Sequence, residues 1–130
     1  MVHSIMVVDD NPDDRELTRC LLEQIDPDLK FVEAESGEDA LKLLREASEA
    51  PVLVLMDLKM PGLDGVETLG LMMADEGLKR IPVVIASHSA LEADRDRAIG
   101  AGARGYLHKA FDIGVFDRGL RAELERSLRH

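Results

Sequence analysis

Cysteine, aromatic residues and long apolar runs are all scarce or missing in this sequence. Cys20 is the only cysteine among 130 residues, which excludes an internal disulfide and favours a reducing compartment, so we expect a cytoplasmic protein. No apolar run approaches the roughly 18–20 residues that a membrane-spanning helix needs, so we expect no membrane contact. With no tryptophan, one tyrosine and three phenylalanines, the chain offers few rings on which single-stranded nucleic acid could stack.

Basic residues are in the minority, with 16 lysines and arginines against 26 aspartates and glutamates and a net charge of −10. That excess repels a phosphate backbone and argues against nucleic acid as a partner. A length of 130 residues with 45% apolar content predicts a single folded domain over residues 1–130.

The sequence does contain an alternation of two hydrophobic patterns. Short apolar runs predict buried strands, at residues 5–8, 31–34, 52–56, 83–86 and 106–107. Apolar residues at helical spacing separate and follow them, with the weakest helix expected over 91–100. Asn11 before Pro12, and Ser36 three residues before Asp39, are typical of helix N-termini. These patterns predict an α/β fold, a doubly wound parallel sheet of five strands with five helices.

Polar side chains follow most of the strands, at the edge where a doubly wound sheet places its working site. They are Asp9 and Asp10 after the first strand, Asp57 after the third, Ser87 after the fourth and Lys109 after the fifth. Carboxylates crowded together repel one another unless a cation compensates, and Mg²⁺ is a hard ion that takes one or two of them. Taken singly, each residue is more often a cap, a turn former or a surface residue, so the prediction depends on the joint pattern.

The joint pattern indicates phosphoryl chemistry. Mg²⁺ and the Lys109 ammonium would neutralise an incoming phosphoryl group, and Ser87 would donate a hydrogen bond to it. Asp57 stands alone at the end of its strand, which leaves it as the nucleophile that forms an aspartyl phosphate.

These residues lie in segments that resemble the receiver domain of bacterial two-component response regulators, over essentially the whole chain. The matching segments are residues 5–10, 55–65, 82–87 and 102–109. The most specific match is the run Asp–x–x–Met–Pro–x–x–Asp–Gly over 57–65, together with Ser87 and Lys109. The resemblance implies a flavodoxin-like fold with strand order 2-1-3-4-5. It also implies a stand-alone signalling switch that is not an enzyme beyond catalysing its own phosphorylation and dephosphorylation.

The resemblance further implies a role for each site residue. Asp57 receives the phosphoryl group from a sensor histidine kinase or a histidine phosphotransfer protein. Asp10, Asp57 and the backbone carbonyl of Lys59 bind Mg²⁺, and Asp9 acts mainly through water. Ser87 and Lys109 contact the phosphoryl group.

The switch itself is expected to use Ser87 and Tyr106, whose side chain turns inward as Ser87 moves toward the phosphate. Lys59, His88 and Ser89 are expected to modulate the lifetime of the phosphate.

Partners follow from the same resemblance. Kinase docking is expected at Leu17, Thr18 and Leu21 of the first helix and at the loop 110–111. Output is expected as contact with a downstream protein through the fourth helix, fifth strand and fifth helix, and a homodimer is compatible with the family.

Two positions depart from the family pattern. Ala110 follows Lys109 where proline is usual, so we expect a trans peptide bond and some displacement of Lys109 or Phe111. His88 follows Ser87 where a small residue is usual, and we hypothesise that its imidazole slows phosphate entry and hydrolysis, the alternative being that it points to solvent.

Three other interpretations are weaker. The departures favour, as the alternative function, a degenerate receiver that binds partners without being phosphorylated. A flavodoxin-like electron carrier lacks a phosphate loop and aromatic rings for a flavin. The run Gly-x-Gly-x-x-Gly over 100–105 follows a helix and precedes a strand, the reverse of the dinucleotide-binding order, so it predicts a helix stop.

Overall fold

The computed structural model describes residues 3–109 and 112–129, in which strands and helices alternate. The strands are β1 (Ser4–Val8), β2 (Lys30–Ala34), β3 (Leu53–Met56), β4 (Val83–Ser87) and β5 (Gly105–His108). The helices are α1 (Pro12–Ile25), α2 (Gly37–Glu46), α3 (Gly65–Met73), α4 (Glu92–Gly100) and α5 (Ile113–Leu128). None of the helices in these ranges is long and apolar enough to cross a membrane.

All of the strands run parallel in one sheet, in the order β2-β1-β3-β4-β5. The predicted fold class and strand order are therefore confirmed, and each strand differs from its predicted bounds by one residue at one or both ends. Because β1 and β3 are direct neighbours, the residues that follow them come out side by side at the carboxyl edge.

The core consists of two layers, one on each face of the sheet. Alternate residues of the three central strands pack on opposite faces, since successive strand side chains point in opposite directions. One face packs against α2, α3 and α4, and the other against α1 and α5. The central strands are almost wholly buried, while the edge strands β2 and β5 are partly exposed.

Local hydrogen bonds explain where the helices begin. The Asn11 side chain accepts from two backbone N–H groups of α1, and the Ser36 side chain accepts from Asp39, as predicted. Asp64 and Glu67 form a reciprocal capping box at the start of α3 that the sequence analysis did not single out. Gly102 adopts a φ of 113° after α4, which confirms the predicted helix stop.

One expectation about the surface of α1 is wrong. Thr18 and Leu21, expected to dock a kinase, are only 3% and 8% exposed and pack into the molecule. Leu17 is 40% exposed and stays available. The loop 110–111 that shared this expectation lies outside the described residues.

Candidate functional site

Three carboxylates meet at the carboxyl edge of the sheet. Asp9, Asp10 and Asp57 each offer one oxygen atom, and these atoms lie within 4.8 Å of one another. Asp9 is buried, Asp57 is half-buried and Asp10 is exposed. Clustered carboxylate oxygens are the ligands that hard divalent cations such as Mg²⁺ prefer, so the residues present fit such an ion.

Protein donors hold both carboxylate oxygens of Asp9. Oδ1 accepts from the Asn11 N–H at 3.0 Å, and Oδ2 accepts from Lys109 Nζ at 2.5 Å. The Asp9 carbonyl accepts from Arg15 Nη1 at 2.6 Å. Asp9 is therefore fixed by its neighbours, whereas Asp10 is exposed to solvent.

The buried ammonium group of Lys109 lies near three carboxylates that come from different parts of the chain. Its Nζ lies 2.5 Å from Asp9, 3.5 Å from Asp14 and 3.8 Å from Asp57 Oδ1, and its side chain is 8% exposed. Lys109 thus lies within reach of the Asp57 carboxylate, and the expected displacement of Lys109 or Phe111 stays a prediction. Ala110 and Phe111, and with them the peptide bond after Lys109, lie outside the described residues.

Burial changes the acidity of Asp57. It raises the pKa of this carboxyl from 3.8 to about 6, the Lys109 ammonium opposes the increase, and the negative charges of Asp9 and Asp10 add to it. The Asp57 N–H donates to the Val8 carbonyl at 2.8 Å, which extends the pairing of β1 and β3 into the site. Asp57 is thus a partly desolvated carboxylate at the end of β3, ionised above about pH 6.

A short chain of hydrogen bonds leads away from the site along the β4–α4 loop. The buried Ser87 Oγ accepts from the Ser89 N–H at 3.1 Å, and the Ser89 carbonyl accepts from the Tyr106 hydroxyl at 2.7 Å. Ser89 Oγ donates to Asp94 Oδ2 at 2.5 Å, and Lys59 Nζ lies 4.0 Å from the same oxygen. Positions 59 and 89 therefore share Asp94, a residue that the sequence analysis did not identify.

His88 has polar partners although its side chain is 67% exposed. Nδ1 lies 3.1 Å from the Lys109 carbonyl oxygen, and Nε2 lies 2.9 Å from Asp14 Oδ2. Asp14 was not among the residues predicted from the sequence to lie at the site. The available signal is the helix cap at Asn11, because a helix that begins at Pro12 presents its first turn to the edge where Asp10 lies.

This chain is similar to members of one protein family. Residues 5–119 match the response regulator receiver domain family. The polar-differentiation response regulator DivK of Brucella ovis is 32% identical over 124 residues, covering 95% of this chain and 98% of that protein. The phosphorylated cyanobacterial phytochrome response regulator RcpA has a TM-score of 0.87 at 28% identity, covering 98% of this chain and 95% of that one.

A third similarity bears on the acidic cluster. The Mn²⁺-bound form of response regulator Rcp1 has a TM-score of 0.80 at 27% identity, covering 92% of this chain and 90% of that one. That a similar protein binds a divalent ion agrees with the donor set formed here by Asp9, Asp10 and Asp57.

Proposed function

The chain belongs to the response regulator receiver domain family, and we propose that it is a phosphorylation-dependent switch that accepts a phosphoryl group on Asp57. The proposal rests on the proximity of one ammonium group and three carboxylates at the carboxyl edge of the sheet. A half-buried carboxylate at the end of the central strand lies 3.8 Å from the Lys109 ammonium and beside two further carboxylates. The donor we propose is the phosphohistidine of a sensor histidine kinase or of a phosphotransfer protein.

The proposed transfer is a displacement at phosphorus. An Asp57 carboxylate oxygen forms the new P–O bond as the P–N bond to the donor imidazole breaks and its electron pair leaves with that nitrogen. The Lys109 ammonium exchanges part of its contact with Asp9 for the phosphoryl oxygens, and the Ser87 hydroxyl donates to one of them. The chain thereby catalyses only its own modification.

A divalent ion would complete the charge balance of the site. Asp10, Asp57 and the carbonyl of Lys59 would hold Mg²⁺ directly, and Asp9 would act through water because both of its oxygens already accept from protein donors. When bound, Mg²⁺ supplies positive charge that offsets the charge of the phosphoryl group.

Exposed apolar residues on α1 and α5 fit the docking of a donor protein. Leu17 of α1 and Ile113 and Val115 of α5 are 40%, 51% and 48% exposed, on two helices that pack together on the same face of the sheet. We propose that they contact the kinase or phosphotransfer protein, and that α4, β5 and α5 contact the downstream protein. The expected cytoplasmic location stays a prediction.

Acetyl phosphate with Mg²⁺ tests the proposal, with intact-mass spectrometry as the readout. We expect wild-type protein to gain a labile adduct of about 80 Da, the mass of one PO₃ group. Asp57→Asn should lose the adduct, and Asp96→Asn, which changes an exposed aspartate of α4, should keep it. A wild-type protein without the adduct would favour the degenerate, phosphorylation-independent receiver instead.

A further inference from the structure

His88 connects two elements that flank the site through one imidazole ring. The residue follows β4, and its ring nitrogens face oxygen atoms of Lys109 at the end of β5 and of Asp14 in α1. The Lys109 carbonyl and the Asp14 carboxylate both accept hydrogen bonds, and an imidazole nitrogen donates when it carries a proton. The two ring nitrogens can therefore link Lys109 to Asp14.

Asp14 in turn faces the other end of the same lysine. Its Oδ2 atom, which contacts His88 Nε2 at 2.9 Å, lies 3.5 Å from Lys109 Nζ. The lysine main chain is also tied to β4, because the Lys109 N–H donates to the Ser87 carbonyl at 2.7 Å. His88 therefore contacts the carbonyl of Lys109 directly and its ammonium group through Asp14.

Lys109 gains from such a restraint. A lysine side chain has four rotatable carbon–carbon bonds, so an ammonium that must leave Asp9 for a phosphoryl oxygen has many other positions to occupy. Ala110 follows Lys109 in the sequence, and alanine lacks the ring by which proline fixes φ. Contacts at the carbonyl and at the ammonium of Lys109 restrict the conformations of this residue. Alanine at position 110 does not supply such a restriction.

We propose that His88 is a positioning residue, which acts with Asp14 to hold the Lys109 ammonium toward Asp57. This inference rests on the proposed function, because the gain appears in the transfer of the phosphoryl group. It also reverses the hypothesis that His88 slows entry to the site. If His88 obstructs entry of the phosphoryl donor, removing the imidazole should speed phosphorylation. If His88 positions Lys109, removing the imidazole should slow it.

The test is the rate of phosphorylation by phosphoramidate with Mg²⁺, measured by intact mass over a range of donor concentrations. We expect His88→Ala to lower the maximal rate about fivefold or more, with little change in the half-saturating donor concentration. His88→Asn places an amide N–H near the position of Nδ1, facing the Lys109 carbonyl, and should recover part of the rate. His3→Ala, at the opposite end of the sheet, is the matched control.

The role of Asp14 is tested by a double-mutant cycle. Asp14→Ala should slow the reaction as well, and adding His88→Ala should cost less than it does alone, because both act through Lys109. An unchanged or faster rate in His88→Ala, no recovery in His88→Asn, or fully additive losses would overturn the proposal. Circular dichroism of each variant establishes that the fold is intact.

A readout without phosphate separates this inference from the proposed function. Wild-type protein that takes up no phosphoryl group would refute the proposed function. The position of Lys109 is then judged by NMR. A fixed side chain should give its two ε-methylene protons different chemical shifts. In His88→Ala these shifts should merge, and unchanged shifts would contradict the role of His88 as directly as the kinetics would.

Discussion

Replacing Asp57 by asparagine should stabilise the protein at neutral pH. Burial raises the pKa of this carboxyl from 3.8 to about 6, so the ionised side chain is less favourable in the folded state than in the unfolded chain. That difference corresponds to about 3 kcal/mol, since a tenfold change in an equilibrium is worth about 1.4 kcal/mol. Water reaches the half-buried carboxylate and screens it, so we expect a gain of about 1–2 kcal/mol.

The sign of the pH dependence follows from the direction of the change. Below the unfolded pKa, Asp57 is protonated in both states and the substitution brings no electrostatic gain. As the pH rises through the folded value of about 6, the wild type loses this part of its stability and asparagine does not. The advantage of Asp57→Asn should therefore grow between about pH 4 and about pH 6 and remain constant above.

Urea denaturation followed by circular dichroism, without divalent ions, measures the effect. The free energy of unfolding of Asp57→Asn should exceed that of wild type at about pH 8 and approach it at about pH 4.5. Asp96→Asn removes an equal charge from an exposed position and serves as the control. An equal gain at both pH values, or the same gain in the control, would refute burial as the cause.

Three further predictions concern the same pocket. Mg²⁺ at ten times its Kd should raise the free energy of unfolding by about 1.4 kcal/mol, and Asp10→Asn should reduce this gain in a denaturation experiment. Lys109→Met should raise the pKa of Asp57 further, because it removes the ammonium whose charge opposes the effect of burial on this pKa. NMR titration of the carboxyl group measures the pKa, and an unchanged value would contradict the prediction. Gly65→Ala should destabilise the fold by about 1–3 kcal/mol and slow phosphorylation, because its Cβ would meet the Asp57 carbonyl oxygen. Gly70→Ala, where a Cβ has open space in the same helix, should stabilise by about 0.5–1 kcal/mol, and equal losses at both glycines would show that the contact is unimportant.

The central strands give a stronger signal in the sequence than the edge strands, for a physical reason. Strands buried on both faces need uniformly apolar residues, so β1, β3 and β4 stand out as short hydrophobic runs. The edge strands β2 and β5 have exposed positions and give weaker signals. The residues that follow the strands are brought together by topology alone, which is why Asp9, Asp57 and Lys109 could be identified before the structure.

Site residues that lie on helices are harder to predict from the sequence than those that follow strands. A row of residues four apart drifts around a helix that has 3.6 residues per turn, so Leu17 reaches solvent while Leu21 and Leu22 stay buried. Acidic residues in a first helical turn are common because they favour the helix dipole, so Asp14 resembles an ordinary helix residue in the sequence. Its contacts with His88 and Lys109 depend on how α1 packs beside the sheet, which no local pattern contains.

The hydrogen bonds around Ser87 indicate how a phosphoryl group on Asp57 would influence the surface. A hydroxyl can accept and donate at once, so Ser87 Oγ can keep the Ser89 N–H at 3.1 Å while it donates to a phosphoryl oxygen. The Tyr106 side chain is half-buried and its hydroxyl donates a hydrogen bond to the Ser89 carbonyl. Tyr106 therefore contacts the β4–α4 loop in this structure without the inward turn expected of it. A phosphoryl group favours this arrangement of the loop only to the extent that it interacts more strongly with it than with other loop conformations. Because Ser89 contacts both Ser87 and Tyr106, the loop that contains it is the element through which such a preference would pass from Asp57 to β5.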